Sequence, residues 1–119
     1  MPLNALTIDG ESLTISDVVA VARLGRLAVL GADARLKMAR SRAWVAHAGT
    51  REAPVYGVNT GFGSLARVRI AASDRAQLSL NLIRSHAAGV GPPLAVPVVR
   101  AMMLLRANAL SKGVSGCRP

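Results

Sequence analysis

The stretch PVYGVNTGFGSLA, residues 54–66, collects Gly57, Gly61, Gly63, Asn59 and the chain's single tyrosine and phenylalanine, Tyr56 and Phe62. Glycines at this density permit backbone angles closed to other residues and let a ligand or a second chain approach the main chain closely. A phosphate-cradling loop is the first chemistry to test, and the spacing rejects it: there is neither a GxGxxG nor a GK[ST] signature. A second candidate group, His86, lies in NLIRSHAAGVGPPL beside Ser85, and Gly89 and Gly91 follow it. An imidazole at a helix end complements the helix dipole, and a Tyr and a Phe in a glycine-rich turn plug a core edge. Composition and pattern leave two readings open for Tyr56 and His86, a catalytic pair or ordinary structural residues.

The elements that must position these groups are mostly helical. Leu6-Thr7-Ile8 and Ser12-Leu13-Thr14 flank Asp9-Gly10, a tight-turn dipeptide, and predict a β-hairpin over 5–14. Thr14 and Asp17 supply capping oxygens for a helix over about 16–24, which Gly25 closes. Asp33 caps a second helix over about 33–47, with Leu36, Ala39, Ala43 and Ala46 expected along one face. Residues 51–69 read as loop, with an extended piece at Val55–Val58. Helices follow over about 74–88, where Leu78 and Leu82 share a face, and over about 97–112, with Pro97 in the first turn. Two apolar stripes run along the last helix, Val98, Met102, Leu105 and Ala109 beside Val99, Met103 and Leu110. A stripe that broad wants partners on several sides, more than one small domain supplies.

Bulk properties narrow the function classes. With 119 residues, 51% hydrophobic and 18% charged, the chain has the composition of one folded domain, able to bury roughly two thirds of its unfolded surface. The N-terminal residues lack a basic segment leading into an apolar run, and the longest uncharged run, Ala87 to Val99, is interrupted by glycines and prolines. A soluble, untargeted chain is expected. Cys117 is the only cysteine, so there is no internal disulfide and no zinc set from cysteine spacing, and a reducing cytoplasm fits. Fifteen basic residues against six acidic ones give a net charge of +9. They are scattered without interleaved aromatic rings, which argues against a nucleic-acid surface; no metal and no membrane partner are expected.

Three segments, YGVNTGFGSLA, NLIRSHAAGVGPPL and VRAMMLLRANALSKGVSGCRP, in this order and spacing, closely resemble the N-terminal part of the histidine ammonia-lyases, a branch of the aromatic amino acid lyase and aminomutase family. The likeness runs from about residue 52 to the last residue. It implies the N-terminal part of that family's helical fold, with an active-site loop over about 52–69. Tyr56 falls on the family's catalytic base and His86 on its substrate side-chain contact. Asn59 and Gly63 are carried over as substrate-binding, and Gly57, Thr60, Gly61 and Phe62 as the mobile loop over the pocket. The Ser85-His86 pair points to the histidine branch, whose members convert L-histidine to urocanate and ammonia.

That elimination removes a weakly acidic β-proton and expels a poor leaving group. The family meets it with a methylidene-imidazolone ring, formed autocatalytically from Ala-Ser-Gly, and with no metal. A tyrosine then acts as general base; a phenol of ordinary pKa near 10 must be lowered, or its phenolate stabilised, and backbone N–H groups of the glycine-rich loop are expected to do so. An imidazole at His86 exchanges a hydrogen bond with the substrate ring and selects histidine over a phenyl group.

The chain departs from the family in one respect: it contains no Ala-Ser-Gly, and the nearest tripeptide, Val114-Ser115-Gly116, matches a different family segment. The resemblance also implies a homotetramer around a long central helix bundle, which this chain does not reach. An N-terminal fragment, inactive by itself, is therefore expected. A tyrosine or phenylalanine ammonia-lyase or aminomutase, and a non-catalytic remnant binding a partner helix or an acidic polymer, are the alternatives.

Overall fold

A computed structural model describes residues 5–119. The elements in order are β1 (Leu6–Ile8), α1 (Ile15–Leu24), β2 (Ala28–Leu30), α2 (Ala32–Thr50), α3 (Arg75–His86) and α4 (Val96–Ser111). The described residues are mainly helical. They divide into two compact units where the sequence suggested one domain: the chain up to Ala43 with Pro93–Pro119, and Trp44–Pro92, the boundary falling inside α2.

In the first unit the expected N-terminal hairpin is replaced by a two-stranded parallel sheet. β1 pairs with β2 in the register Leu6↔Ala28, Thr7↔Val29, Ile8↔Leu30, with α1 as the crossover that parallel strands require. The reason lies in Asp9. Its carboxylate accepts the backbone N–H groups of Glu11 and Ser12 at 2.7 and 2.9 Å, and the Ser12 hydroxyl also donates to it. The Gly10 N–H donates to Asn108 Oδ1 on α4 at 3.0 Å. A hairpin ladder from Ser12 to Thr14 is thus pre-empted by a local side-chain turn. Gly10, at φ +91°, supplies the left-handed backbone that the turn uses.

The Ser12 hydroxyl, and after it the backbone N–H groups of Ser12 and Glu11, hold the Asp9 carboxyl down to about 2. A depressed carboxylate stabilises the fold above the unfolded value near 3.9 and loses that contribution as pH falls toward 2. The Asp9 carboxyl carbon should therefore titrate with a midpoint near 2 in an NMR series, the Glu11 and Ser12 amide shifts moving with it. A midpoint at the ordinary carboxylate value would mean that the turn is not held this way.

α1 begins with a full capping box: Thr14 caps the N–H of Asp17, whose carboxylate returns to the Thr14 N–H and hydroxyl. Gly25 ends the helix at φ +73°, and Arg26 pairs with Asp17 at 2.8 Å. The guanidinium of Arg100 on α4 covers an open carbonyl in the last turn of α1, Nε and Nη2 reaching Val21 O at 3.1 and 2.9 Å. Leu6, Ile8, Val21 and Leu104 form the core, with Leu13 and Val18 packed on it.

On α2 the buried positions are Ala34, Met38, Ala48 and Gly49, whereas Leu36, Ala39, Ala43 and Ala46 are exposed. Within the first unit the inward face of α2 runs through positions 34, 38 and 41, and the half-buried Ser41 sits on it because its hydroxyl accepts the Gly116 N–H at 2.9 Å. A polar residue at a half-buried register masks the stripe in sequence. On α4, Leu104 and Ser111 are buried while Val98, Val99, Met102, Met103 and Leu105 remain exposed. No helix of the described residues is long and apolar enough to cross a membrane.

Candidate active-site loop

Residues 51–70, in the second unit, fold as a loop knotted by two buried side chains. Asn59 has no exposed surface and Thr60 is 1% exposed. The Asn59 amide donates to Arg51 O at 3.2 Å and Ala53 O at 3.0 Å, and its Oδ1 accepts the Val55 N–H at 2.7 Å. Three of the four hydrogen bonds open to an asparagine side chain are thereby spent on backbone. Thr60 Oγ1 accepts the Gly57 N–H at 3.2 Å and donates to Gly61 O at 3.1 Å. The two sides of the loop are joined by Gly61 N–H to Val68 O at 3.0 Å and Ile70 N–H to Asn59 O at 2.9 Å. Arg69 completes the closure, reaching Glu52 O and Arg51 O, each at 3.3 Å.

Tyr56 stands between these anchors. Its neighbours Val55 and Gly57 are tied to Asn59 and Thr60, while the residue itself is 65% exposed and its ring meets the Phe62 ring edge to face at 6.0 Å and 82°. That edge-to-face arrangement suits the opposed charge of ring face and ring edge. Gly57 is at φ +69°, and a Cβ there would stand 3.3 Å from Phe62 Cε1. At Gly61 a Cβ would lie 2.6 Å from Leu65 Cβ, so the turn closes only over a glycine. Gly63, at φ +56°, opens a single 3-10 turn over Gly63–Leu65, with nothing within 4 Å of where a Cβ would point.

The loop's backbone N–H groups were expected to steady a Tyr56 phenolate. Those of Gly57, Val58, Asn59 and Gly61 are committed elsewhere, to Thr60 Oγ1, to Val55 O twice and to Val68 O. Asn59, expected to contact substrate, is enclosed and holds the main chain. Arg69 was not singled out in sequence, because one arginine among thirteen carries no signal until the carbonyls it reaches are in place.

His86 closes α3 in the same unit and is exposed. Its Nδ1 lies 2.9 Å from Leu82 O and 2.9 Å from Ser85 Oγ, and Ser85 Oγ donates to Leu82 O at 2.9 Å. The ring is thus oriented by its own helix. Among the described residues no group of three or more His, Cys, Asp or Glu side chains is placed to hold a metal ion.

Family membership can be decided on wider grounds than this loop. The profile of the family described as "Aromatic amino acid lyase" matches residues 13–119. The chain belongs to that family. It is 53% identical over 117 residues to the histidine ammonia-lyase of Anaeromyxobacter sp. (strain K), covering 98% of this chain and 23% of that enzyme. Among solved structures, tyrosine aminomutase from Streptomyces globisporus superposes with a TM-score of 0.90 at 36% identity, over 97% of this chain and 22% of the other. Histidine ammonia-lyase from Trypanosoma cruzi gives 0.84 at 36% identity, over 96% and 22%. The chain therefore spans less than a quarter of the length of these relatives.

The family's ring-forming tripeptide, Ala-Ser-Gly, has no counterpart in this chain. Val114-Ser115-Gly116 carries valine in place of alanine and follows α4 in the first unit, where the Gly116 N–H is tied to Ser41 Oγ.

Proposed function

We propose that this chain carries the proton-accepting and substrate-selecting residues of a histidine ammonia-lyase, acting on L-histidine to give urocanate and ammonia. The observation that carries the reading is 53% identity to such an enzyme across nearly the whole chain. The exposed Tyr56 phenol, held at its backbone on both sides, suits a base that must reach a substrate carbon. In the elimination, Tyr56 takes the β-proton, the electron pair of the broken C–H bond becomes the α,β double bond, and the C–N bond breaks with release of ammonia. His86 meets the substrate's imidazole. Asn59, Thr60 and Arg69 act by holding the loop, and Gly63, open on its outer side, is where substrate passes close to the main chain. The electrophile that assists departure of the amine must come from sequence outside these 119 residues. Assembly as a homotetramer in the cytoplasm, within histidine breakdown, completes the reading; the exposed stripes of α4 are suited to burial in such an assembly.

The aminomutase likeness supports a second reading, in which the substrate is tyrosine. A chimera separates the two. Residues 1–119, spliced in place of the matching segment of the Anaeromyxobacter enzyme, should give an oligomer that forms urocanate from L-histidine, followed by its ultraviolet absorbance. A folded chimera that leaves L-histidine unchanged removes the first reading, and turnover of L-tyrosine in its place selects the second. Within the chimera, His86→Ala should lower kcat/KM for L-histidine by about tenfold to a hundredfold, the scale of one specific hydrogen bond to a polar substrate group. An unchanged value would take His86 out of substrate recognition.

A further inference from the structure

The last turn of α3 determines which ring nitrogen of His86 carries its proton. His86 Nδ1 is 2.9 Å from Leu82 O, and a carbonyl oxygen only accepts, so a neutral imidazole bonded there must hold its hydrogen on Nδ1. Ser85 leads to the same assignment. Its hydroxyl hydrogen is spent on Leu82 O at 2.9 Å, so the side of Oγ facing Nδ1, also at 2.9 Å, presents a lone pair. With the proton on Nδ1, Nε2 is left as a bare acceptor on this exposed residue.

We infer that Ser85 is a positioning residue: together with the Leu82 carbonyl it locks His86 in the Nδ1–H tautomer and so turns Nε2 into a hydrogen-bond acceptor for a substrate ring bearing an N–H. This deepens the histidine-lyase reading and rests on it for the identity of the ligand, though not for the tautomer itself. An acceptor at Nε2 takes a hydrogen bond from an azole N–H and has no partner on an unsubstituted phenyl ring. The freely rotating imidazole of histidine in water favours the opposite form, with hydrogen on Nε2, so the helix end has to reverse an intrinsic preference. The pair Ser85-His86 matters on this account because the serine oxygen reaches the adjacent ring, not because serine touches substrate.

The test uses the 119-residue chain, without substrate, in mildly alkaline buffer. Long-range ¹⁵N–¹H correlation spectra distinguish the two tautomers, and the exposed His47 on α2 serves as an internal reference. His86 should show Nδ1–H in excess while His47 shows the ordinary Nε2–H excess. Ser85→Ala should reduce the Nδ1–H to Nε2–H ratio at His86 by about threefold to tenfold, the range of one neutral hydrogen bond. Ser85→Thr, which keeps the hydroxyl, should restore it. Backbone amide shifts from Leu82 to Ala87 establish that the helix end persists in each variant. An Nε2–H excess at His86 in the parent chain, or a ratio unmoved by Ser85→Ala, would overturn the inference. Either result leaves the chimera's turnover of L-histidine unaffected, so failure here is distinguishable from failure of the proposed function.

Discussion

Replacing Tyr56 with Phe, in the chimera that turns over L-histidine, is expected to lower kcat by about 10²- to 10⁴-fold while leaving KM within about threefold, the range that a positioned general base contributes. The substitution is close to a pure deletion of the phenolic oxygen. Phe62 packs on the ring at 6.0 Å and 82°, and that contact needs only the carbon framework. The backbone on either side is tied by Val55 N–H to Asn59 and by Gly57 N–H to Thr60, neither of which involves the Tyr56 side chain. With the residue 65% exposed, loss of the hydroxyl should cost stability no more than about 0.5 kcal/mol. The melting temperature therefore serves as the control, and a large fall in kcat at constant stability isolates the proton-transfer role. A variant that keeps more than about a third of the parent kcat would show that another group accepts the β-proton.

Where local chemistry determines local structure, the fold can be read from the chain. Thr14 and Asp17 at a three-residue spacing, with Gly25 beyond, specify both ends of α1, because capping depends on groups within one turn of each other. The N-terminal strand shows the converse. Asp9-Gly10 does turn the chain, yet the partner of β1 is β2, some twenty residues further on, and no feature of positions 5–14 announces a parallel pairing across a helix. The inward face of α2 is hidden for a related reason. Ser41 occupies a half-buried register where its hydroxyl meets the distant Gly116 N–H.

The candidate site divides along the same line. The glycine pattern marks 51–69 as irregular backbone, since positive φ at Gly57 and Gly63 is a property of single residues. The roles of the side chains within it depend on which carbonyls they meet. An asparagine looks the same in sequence whether it faces a substrate or its own main chain, and here the Asn59 amide is consumed by Arg51, Ala53 and Val55. Four of the loop's N–H groups, those of Gly57, Val58, Asn59 and Gly61, are withdrawn from a phenolate by the same accounting. A buried backbone donor seeks an acceptor, and in a closed turn the nearest ones belong to the turn itself.

Asn59 carries the second large expectation. Asn59→Ala leaves the Val55 N–H and the Arg51 and Ala53 carbonyls to find new partners around a side chain that has no exposed surface. Arg51 O keeps its bond from Arg69, so the uncompensated groups are chiefly the Val55 N–H and Ala53 O. At about 1–3 kcal/mol for each stranded group, the variant should lose roughly 2–6 kcal/mol, a large share of the stability of a small folded unit. Asn59→Asp is the sharper probe. It preserves the acceptor for Val55 N–H but replaces the two amide donors with an oxygen aimed at two carbonyl oxygens, so it should be no better tolerated than alanine despite its near-identical shape. Urea unfolding followed by circular dichroism measures the loss, and hydrogen exchange at Val55 and Val58 locates it. In Asn59→Ala both amides should exchange faster, Val55 through its lost acceptor and Val58 through loosening of the turn that Val55 O closes, whereas in Asn59→Asp the faster exchange should appear at Val58. Because Tyr56 is suspended between Val55 and Gly57, kcat in the chimera should fall with that protection. An Asn59→Ala variant of undiminished stability and exchange protection would mean that the knot is held by Thr60 and Arg69 without it.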